Sequence, residues 1–218
     1  MKKVFVLACI ANLIIACNNN ANDNNNHNNG AAHSVHDTTS SGTQGVEGSS
    51  VMKAEMDKMM HEMHSTKHTG NNDVDFAKMM MAHHKGAVQM SEVELAKGDD
   101  AELKKFAKTV IQNQDKEIAM METFISTASK APSPDAANFQ KALSECMMAM
   151  MNNTTIIYNN IDKDYAAQMI PHHQSAVDMA KAYLRFGKEA SLVSLCQNII
   201  HSQAKEIIWL KDWLSKNK

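Results

Sequence analysis

A histidine pair occurs twice in this chain, each time in the same local pattern, and the two copies lie 89 positions apart. The offset continues without a gap well beyond each pair, which identifies an internal duplication. Because buried polar groups need partners, we expect function to lie in the polar residues that both halves keep inside apolar patterns. These are a His-His pair and a Gln-x-x-Glu motif: His83, His84, Gln114 and Glu117 in the first half, and His172, His173, Gln203 and Glu206 in the second.

The pattern along the chain predicts an all-α fold. Only 8 glycines and 3 prolines punctuate the chain, and apolar residues recur at helical spacing. Short connections at Gly98 and Gly187 make neighbouring helices antiparallel, so two hairpins that bury their apolar faces together would give a four-helix bundle with pseudo-two-fold symmetry. The six helices are expected near residues 51–66, 74–97, 100–128, 135–153, 163–186 and 189–216.

The Gln-x-x-Glu motif falls on the apolar stripe of its helix, at about 100° per residue. An ionised carboxylate left alone there would cost roughly several kcal/mol, so it needs a partner or a cation. If the apolar stripes of each hairpin face each other, we expect His83 to meet Glu117 and His172 to meet Glu206.

The N-terminus has the features of a targeting segment. Lys2 and Lys3 precede an apolar run too short to span a bilayer, and its end resembles the cleavage signal of a bacterial lipoprotein. That resemblance implies removal of residues 1–16 and a lipid on Cys17, with an ordinary secretory signal or an uncleaved anchor as alternatives. Asn18 is not the acidic residue associated with inner-membrane retention, so a periplasm-facing position on the outer membrane is favoured.

Four segments follow from these observations. After the signal, residues 17–50 are rich in Asn, Ser and Thr, which predicts a disordered tether behind the lipidated cysteine. Residues 51–73 form a Met- and His-rich helix and linker. The bundle domain is expected over 74–216, as a first repeat 74–128, a crossover 129–162 and a second repeat 163–216.

Charge and cysteine content narrow the function classes. The formal net charge is -2 and there is no basic block, which argues against a nucleic-acid partner. Outside the predicted signal and lipid site, only Cys146 and Cys196 remain. A secreted compartment would permit a disulfide between them; buried free thiols and a copper-binding thiol pair are the alternatives.

Methionine is the most informative residue type, with 18 copies against 6 phenylalanines. Met52, Met56, Met59 and Met63 follow one helical stripe, and other methionines flank the histidine pairs. Methionine also fills cores simply because it is flexible, but runs such as residues 79–81 cannot all point inward on a helix. Thioether and imidazole donors together suit Cu(I), with silver as a further soft ion, and Cu(II) can use the imidazoles.

The segments Met169-Ile-Pro-His172-His173 and Gln203-Ala-Lys-Glu206 closely resemble family 305 of the domains of unknown function. The resemblance covers about residues 74–214 and implies a ferritin-like bundle of two helical hairpins. Some members are periplasmic copper-binding proteins that use Met and His. Carried over, this implies metal ligands among His83, His84, His172, His173, Met80, Met90, Met169 and Met179, with Met56, Met59, Met63 and His64 added by the preceding helix. Gln114, Glu117, Gln203 and Glu206 would then orient the imidazoles.

The expected function is therefore a lipid-anchored protein of the bacterial cell envelope that binds copper for buffering, tolerance or transfer. Copper-exporting or copper-accepting envelope proteins are the expected partners. The alternative is an envelope scaffold in which the His and Glu residues form a structural network. We do not expect an enzyme, because di-iron bundles use four Glu and two Glu-x-x-His motifs, and this core offers mainly Glu117 and Glu206.

Overall fold

The computed structural model describes residues 50–217, which form six α-helices and no strand. Each predicted helix is present, with its ends displaced by at most two residues, so the all-α class is confirmed. The signal peptide, the lipid on Cys17 and the tether were predicted for residues before 50 and lie outside the described range. The helices are α1 (Val51–Ser65), α2 (Asn72–Lys97), α3 (Ala101–Thr127), α4 (Ala136–Met151), α5 (Ile161–Phe186) and α6 (Ala190–Lys216).

Side-chain caps fix where the bundle helices begin. The Asn71 side chain accepts hydrogen bonds from two backbone N–H groups at the start of α2, and Asn160 accepts from the N–H of Lys163 at the start of α5. Asp100 caps α3 by accepting from the N–H of Leu103. Each cap satisfies a backbone donor that the helix itself leaves free, which is why these short polar residues end the loops.

The central pair of helices is α2 and α5, which pack on each other; α3 packs on α2, and α6 packs on α5. These two hairpins form the expected ferritin-like bundle, in which α3 and α6 meet through long side chains, such as the stacked rings of Phe106 and Trp209 at 4.8 Å. The remaining helices add a further layer, in which α1 contacts both α2 and α5 and α4 contacts α5.

The added layer lies on the opposite side of the central pair from α3 and α6. Along α2, His84 contacts α3 and Gly86 contacts Met59 of α1. Residues two positions apart on a helix point about 200° apart, so α1 and α3 cover opposite faces of α2. In α5, the face that carries His173 is likewise covered by α6, because His173 lies against Glu206.

Gly98 and Gly187 end α2 and α5, and each donates its N–H to the carbonyl oxygen four residues earlier. Neither has a positive φ, so a left-handed conformation does not explain the glycine. A Cβ at Gly98 would instead meet the carboxyl group of Glu94, and one at Gly187 would meet the ring of Tyr183. Close approach of these two side chains therefore requires glycine in both hairpins.

None of the helices between residues 50 and 217 combines the length and the apolar character needed to cross a membrane.

Candidate metal sites

The first histidine of each pair lies at the interface between α2 and α5. The ring centroids of His83 and His172 are 3.8 Å apart, and both side chains are fully buried. Nε2 of His83 lies 2.7 Å from Oγ of Ser175, and Nε2 of His172 donates to the backbone carbonyl of His83 at 3.0 Å. The duplicated positions thus join the two halves to each other directly.

The second histidine of each pair faces the neighbouring helix of its own hairpin. Nε2 of His84 lies 2.7 Å from Oε2 of Glu117, and Nε2 of His173 lies 2.9 Å from Oε2 of Glu206. The sequence-based expectation that these carboxylates would meet the first histidine of each pair was wrong by one residue. The reason is that one helical step of about 100° turns the first histidine toward the opposite hairpin and leaves the second to face its own.

Burial decides the protonation of the central imidazoles. Loss of solvent, and to a smaller extent the neighbouring histidines, holds the pKa of both His83 and His172 well below its ordinary value. Nε2 of His172 faces a carbonyl oxygen and so carries the proton in the neutral ring. Nδ1 of the same ring is therefore unprotonated and carries a lone pair. The Nδ1 atoms of all four buried histidines have no hydrogen-bond partner within residues 50–217.

Within residues 50–217, no group of three or more His, Cys, Asp or Glu side chains is arranged to hold a metal ion. His83, His172 and His84 are hydrogen-bonded to Ser175, to the backbone of His83 and to Glu117 respectively, which is the arrangement of a structural network. Nε2 of His173 lies close to Glu206 but is not hydrogen-bonded to it. The predicted ligands Met80, Met90, Met169 and Met179 are all buried core residues of α2 and α5.

The methionine stripe of α1 is the seam by which this helix packs on the bundle. Met52, Met56, Met59 and Met63 are all buried, and a Cβ added at Gly86 would lie 2.5 Å from Sδ of Met59. The regular spacing is therefore explained by packing, in which methionine fills the space above a glycine.

Two cavities open at the edge of this seam, between α1 and α4. The first, which we call the Met–His cavity, has a volume of about 290 Å³. Its donors come from α1, the following loop, α2 and α4. Five methionines and two histidines line it, together with Leu143 and Ser144: Met63, His64, His68, Met79, Met147, Met148 and Met151.

The second cavity, which we call the Met cavity, has a volume of about 460 Å³ and lies nearer the start of α1. Four methionines line it: Met56, Met60, Met150 and Met151. Its remaining wall includes Lys53, Asp57, Gln168 and Pro171. Met151 lines both cavities.

The methionine pairs of α4 divide between core and surface. Met147 and Met150 are buried, whereas Met148 and Met151 are 59% and 65% exposed. This confirms that adjacent methionines do not all point inward. Of the residues that line the two cavities, Met56, Met63 and His64 were predicted from the sequence as metal ligands. None of the α4 methionines was. Their spacing of three to four residues was the signal that could have identified them.

The Gln-x-x-Glu motifs line a polar groove of about 320 Å³ between α3 and α6. Gln114 and Gln203 are buried, and their Oε1 atoms have no hydrogen-bond partner among the described residues. Only the glutamates of the motifs therefore contact imidazoles, whereas both residue types were expected to orient them.

Cys146 and Cys196 are free thiols. Burial raises the pKa of Cys146 to about 11 and that of Cys196 to about 12. Both are therefore protonated at neutral pH, unlike the thiolates that act as metal ligands.

Comparison with known proteins places this arrangement in a family. The model of the domain of unknown function DUF305 matches residues 73–214. No curated protein matches the chain. Among solved structures, CopM in the Cu(II)-bound form is 32% identical, with a TM-score of 0.53, over 67% of this chain and 97% of CopM.

Two further structures are similar. CopM in the Cu(I)-bound form is 33% identical, with a TM-score of 0.51, over 66% of this chain and 96% of CopM. A putative secreted DUF305 protein from Streptomyces coelicolor is 23% identical, with a TM-score of 0.54, over 68% of this chain and 94% of that one; this likeness shows the fold alone. By its matched residues and its duplicated hairpins, the chain belongs to the DUF305 family.

Proposed function

We propose that this protein binds Cu(I) in the Met–His cavity and buffers or transfers copper in the bacterial cell envelope. The observation that carries the proposal is the convergence of five thioethers and two imidazoles on one cavity. These donors come from four separate segments of the chain, so their meeting is a product of the fold and not of local sequence.

The donor set matches the chemistry of a soft monovalent ion. Thioether and imidazole are neutral ligands that suit Cu(I), and silver has the same preference. Ca²⁺ and Mg²⁺ require oxygen ligands such as carboxylates and water, whereas thioethers and imidazoles dominate the lining of this cavity. Thioethers also cannot be lost to disulfide formation, which makes them durable ligands in an oxidising compartment.

The position of the cavity suits exchange of the ion. Met148 is 59% exposed, and both His64 and His68 are exposed. A copper ion could enter and leave here without unfolding of the bundle, as buffering or transfer to a copper-exporting or copper-accepting envelope protein requires. In this proposal the protein is a binder and not an enzyme.

Support also comes from the relatives. CopM has been solved in Cu(I)-bound, Cu(II)-bound and Ag-bound forms, and it is about one-third identical to this chain.

For the buried histidine pairs we propose a structural role, because Nε2 of His83 and Nε2 of His172 each already have a protein partner.

We also propose that the protein is anchored through a lipid on Cys17. Incorporation of labelled fatty acid by the parent but not by Cys17→Ser tests this part of the proposal.

Anaerobic titration of the full chain with Cu(I), in competition with a chromogenic chelator, tests the binding site. His64→Ala/His68→Ala removes both imidazoles of the Met–His cavity, and we expect Cu(I) affinity to fall by about tenfold or more, or roughly 1.4 kcal/mol. His61→Ala is the matched control, since this exposed histidine of α1 does not line the cavity.

The outcomes separate the alternatives. If the parent competes with the chelator and only the double variant is weakened, the Met–His cavity is the site. Equal affinity in all three proteins would move the site away from this cavity. If the parent takes up no copper, the copper function fails and the scaffold alternative leads.

A further inference from the structure

We infer that the Met cavity is a second Cu(I) site with sulfur ligands only, and that the two sites share Met151. This inference rests on the proposed function, because it assigns a second place for the same ion. It adds a stoichiometry of two, a different ligand set and a physical link between the sites.

The thioethers of the Met cavity come from two facing helices. Met56 and Met60 lie one turn apart on α1, and Met150 and Met151 end α4. Met56 and Met150 are buried, Met60 is half-buried and Met151 is exposed. Methionines of both facing helices line this cavity, and thioethers provide the soft environment that Cu(I) accepts.

Competing donors in this cavity are few. Among the residues that the structure describes, no imidazole or thiol lines it, and the one carboxylate, Asp57, is paired with the ammonium group of Lys53. The remaining polar lining consists of amide and hydroxyl groups, including those of Asn153, Thr155 and Gln168. A site with thioethers as its only strong ligands selects Cu(I) over Cu(II), which prefers nitrogen and oxygen donors.

Met151 links the two cavities. It lines both, it is the last residue of α4, and it is 65% exposed. Three rotatable bonds let an exposed thioether reach alternative positions. One sulfur cannot serve two ions fully, so the second Cu(I) binds more weakly than the first, and the same side chain offers a path by which an ion passes between the sites.

The test combines anaerobic chelator competition with X-ray absorption at the copper edge on the full chain. The parent is expected to bind two Cu(I) with mixed sulfur and nitrogen scattering. Met56→Leu/Met60→Leu should retain one ion with nitrogen scattering. His64→Ala/His68→Ala should retain an ion with sulfur scattering only, and Met151→Leu should weaken both sites by about tenfold.

The leucine changes conserve volume, so the bundle should tolerate them, and thermal melting verifies folding. Met120→Leu/Met121→Leu on α3 is the matched control, because it also replaces one half-buried and one buried methionine but touches neither cavity. This control should bind two ions as tightly as the parent does.

Distinct results would overturn the inference. If His64→Ala/His68→Ala releases all copper, there is no sulfur-only site, although the proposed function stands. If Met56→Leu/Met60→Leu still binds two ions with unchanged affinity, the Met cavity is not a site. A Met151→Leu variant that weakens one site alone would remove the link. A parent that binds no Cu(I) would end the proposed function and this inference together.

Discussion

Glu94 of α2 and Tyr183 of α5 occupy equivalent positions in the two halves of the bundle, 89 residues apart. The phenol of Tyr183 donates to the carboxylate of Asp73 at 2.6 Å. Asp162, the equivalent of Asp73, lies beside Glu94, and no group among residues 50–217 is hydrogen-bonded to either carboxyl oxygen of Glu94. Burial, and then the neighbouring carboxyl group of Asp162, raises the pKa of Glu94 to about 8. Glu94 therefore keeps its proton at neutral pH, and a neutral carboxyl group lies beside Asp162 where the phenol lies beside Asp73 in the other half.

The first prediction is that Glu94→Gln stabilises the protein at neutral pH. The unfolded carboxyl ionises near 4.5, whereas the folded one retains its proton up to about pH 8. Between these values the unfolded state binds fewer protons, so the parent loses up to about 1.4 kcal/mol of stability per pH unit as pH rises. Gln can donate to Asp162 without ionising, which should remove this slope.

Denaturant unfolding at several values between pH 4.5 and 8 measures the slope for the parent, for Glu94→Gln and for the exposed control Glu92→Gln. The control should follow the parent. An unchanged slope in Glu94→Gln would mean that Glu94 ionises normally in the folded protein.

The second prediction concerns the opposite end of the pH range. His83 and His172 stay neutral when folded because burial lowers the pKa of each well below the ordinary histidine value of about 6.5. Once the pH falls below 6.5, the unfolded chain takes up protons that the folded chain refuses. Stability should then fall toward acid by up to about 1.4 kcal/mol per pH unit for each of the two groups.

Chelator-treated protein should therefore unfold at progressively lower denaturant concentration between pH 6.5 and 5. NMR titration of the imidazole protons of His83 and His172 provides the independent measurement. Protonation of this buried pair near pH 6.5, without unfolding, would contradict the prediction.

The third prediction is that Glu117→Ala destabilises the bundle by about 1–3 kcal/mol, since it leaves the buried His84 without its partner. Glu206→Ala should have a smaller effect, because Nε2 of His173 lies near Oε2 of Glu206 but is not hydrogen-bonded to it. The exposed Glu122→Ala on α3 should change stability by less than about 0.5 kcal/mol. Thermal and denaturant unfolding measure all three, and equal stability of Glu117→Ala and Glu122→Ala would show that the imidazole–carboxylate contact contributes nothing.

The fourth prediction is that Gly86→Ala loosens α1. A new Cβ would come within 2.7 Å of Cβ and 2.5 Å of Cγ of Met59, so α1 must shift, at a cost of about 1–3 kcal/mol. The higher helix propensity of alanine offsets part of this cost, by about 0.5–1 kcal/mol.

Because α1 forms one wall of both cavities, Gly86→Ala should also weaken Cu(I) binding. Gly86→Ala/Met59→Ala removes Cγ and Sδ of residue 59 but keeps the Cβ contact at 2.7 Å, so it should restore the position of α1 only in part. Faster hydrogen exchange confined to α1 in the single variant is the expected sign, and unchanged exchange would refute it.

The sequence predicted the helices well because their caps and stripes are local signals, such as the Asn side chains that begin α2 and α5. It placed the histidines and glutamates inside the bundle for the same reason. It missed which histidine meets which glutamate, because that choice depends on how far each hairpin is rotated toward the other. Periodicity read over several residues cannot fix a rotation of one helical step.

The methionines show a second limit of prediction from the sequence. The stripe of α1 was read as a set of candidate ligands, but most of its surface packs on α2 and α5, where Met59 covers Gly86. The α4 methionines were treated as part of a crossover, yet Met147 and Met148 face the end of α1 across a cavity. That meeting joins segments far apart in sequence, which composition and spacing do not reveal.

Helix α1 ends at Ser65, before the first of the residues 73–214 that match the family model. It nevertheless supplies Met56, Met60, Met63 and His64 to the two cavities. A chain made of the matched residues alone would keep both hairpins and their histidine network but would lack one wall of each cavity. The duplicated hairpins thus carry the match to the family, whereas both proposed copper sites also depend on a helix that lies outside the matched residues.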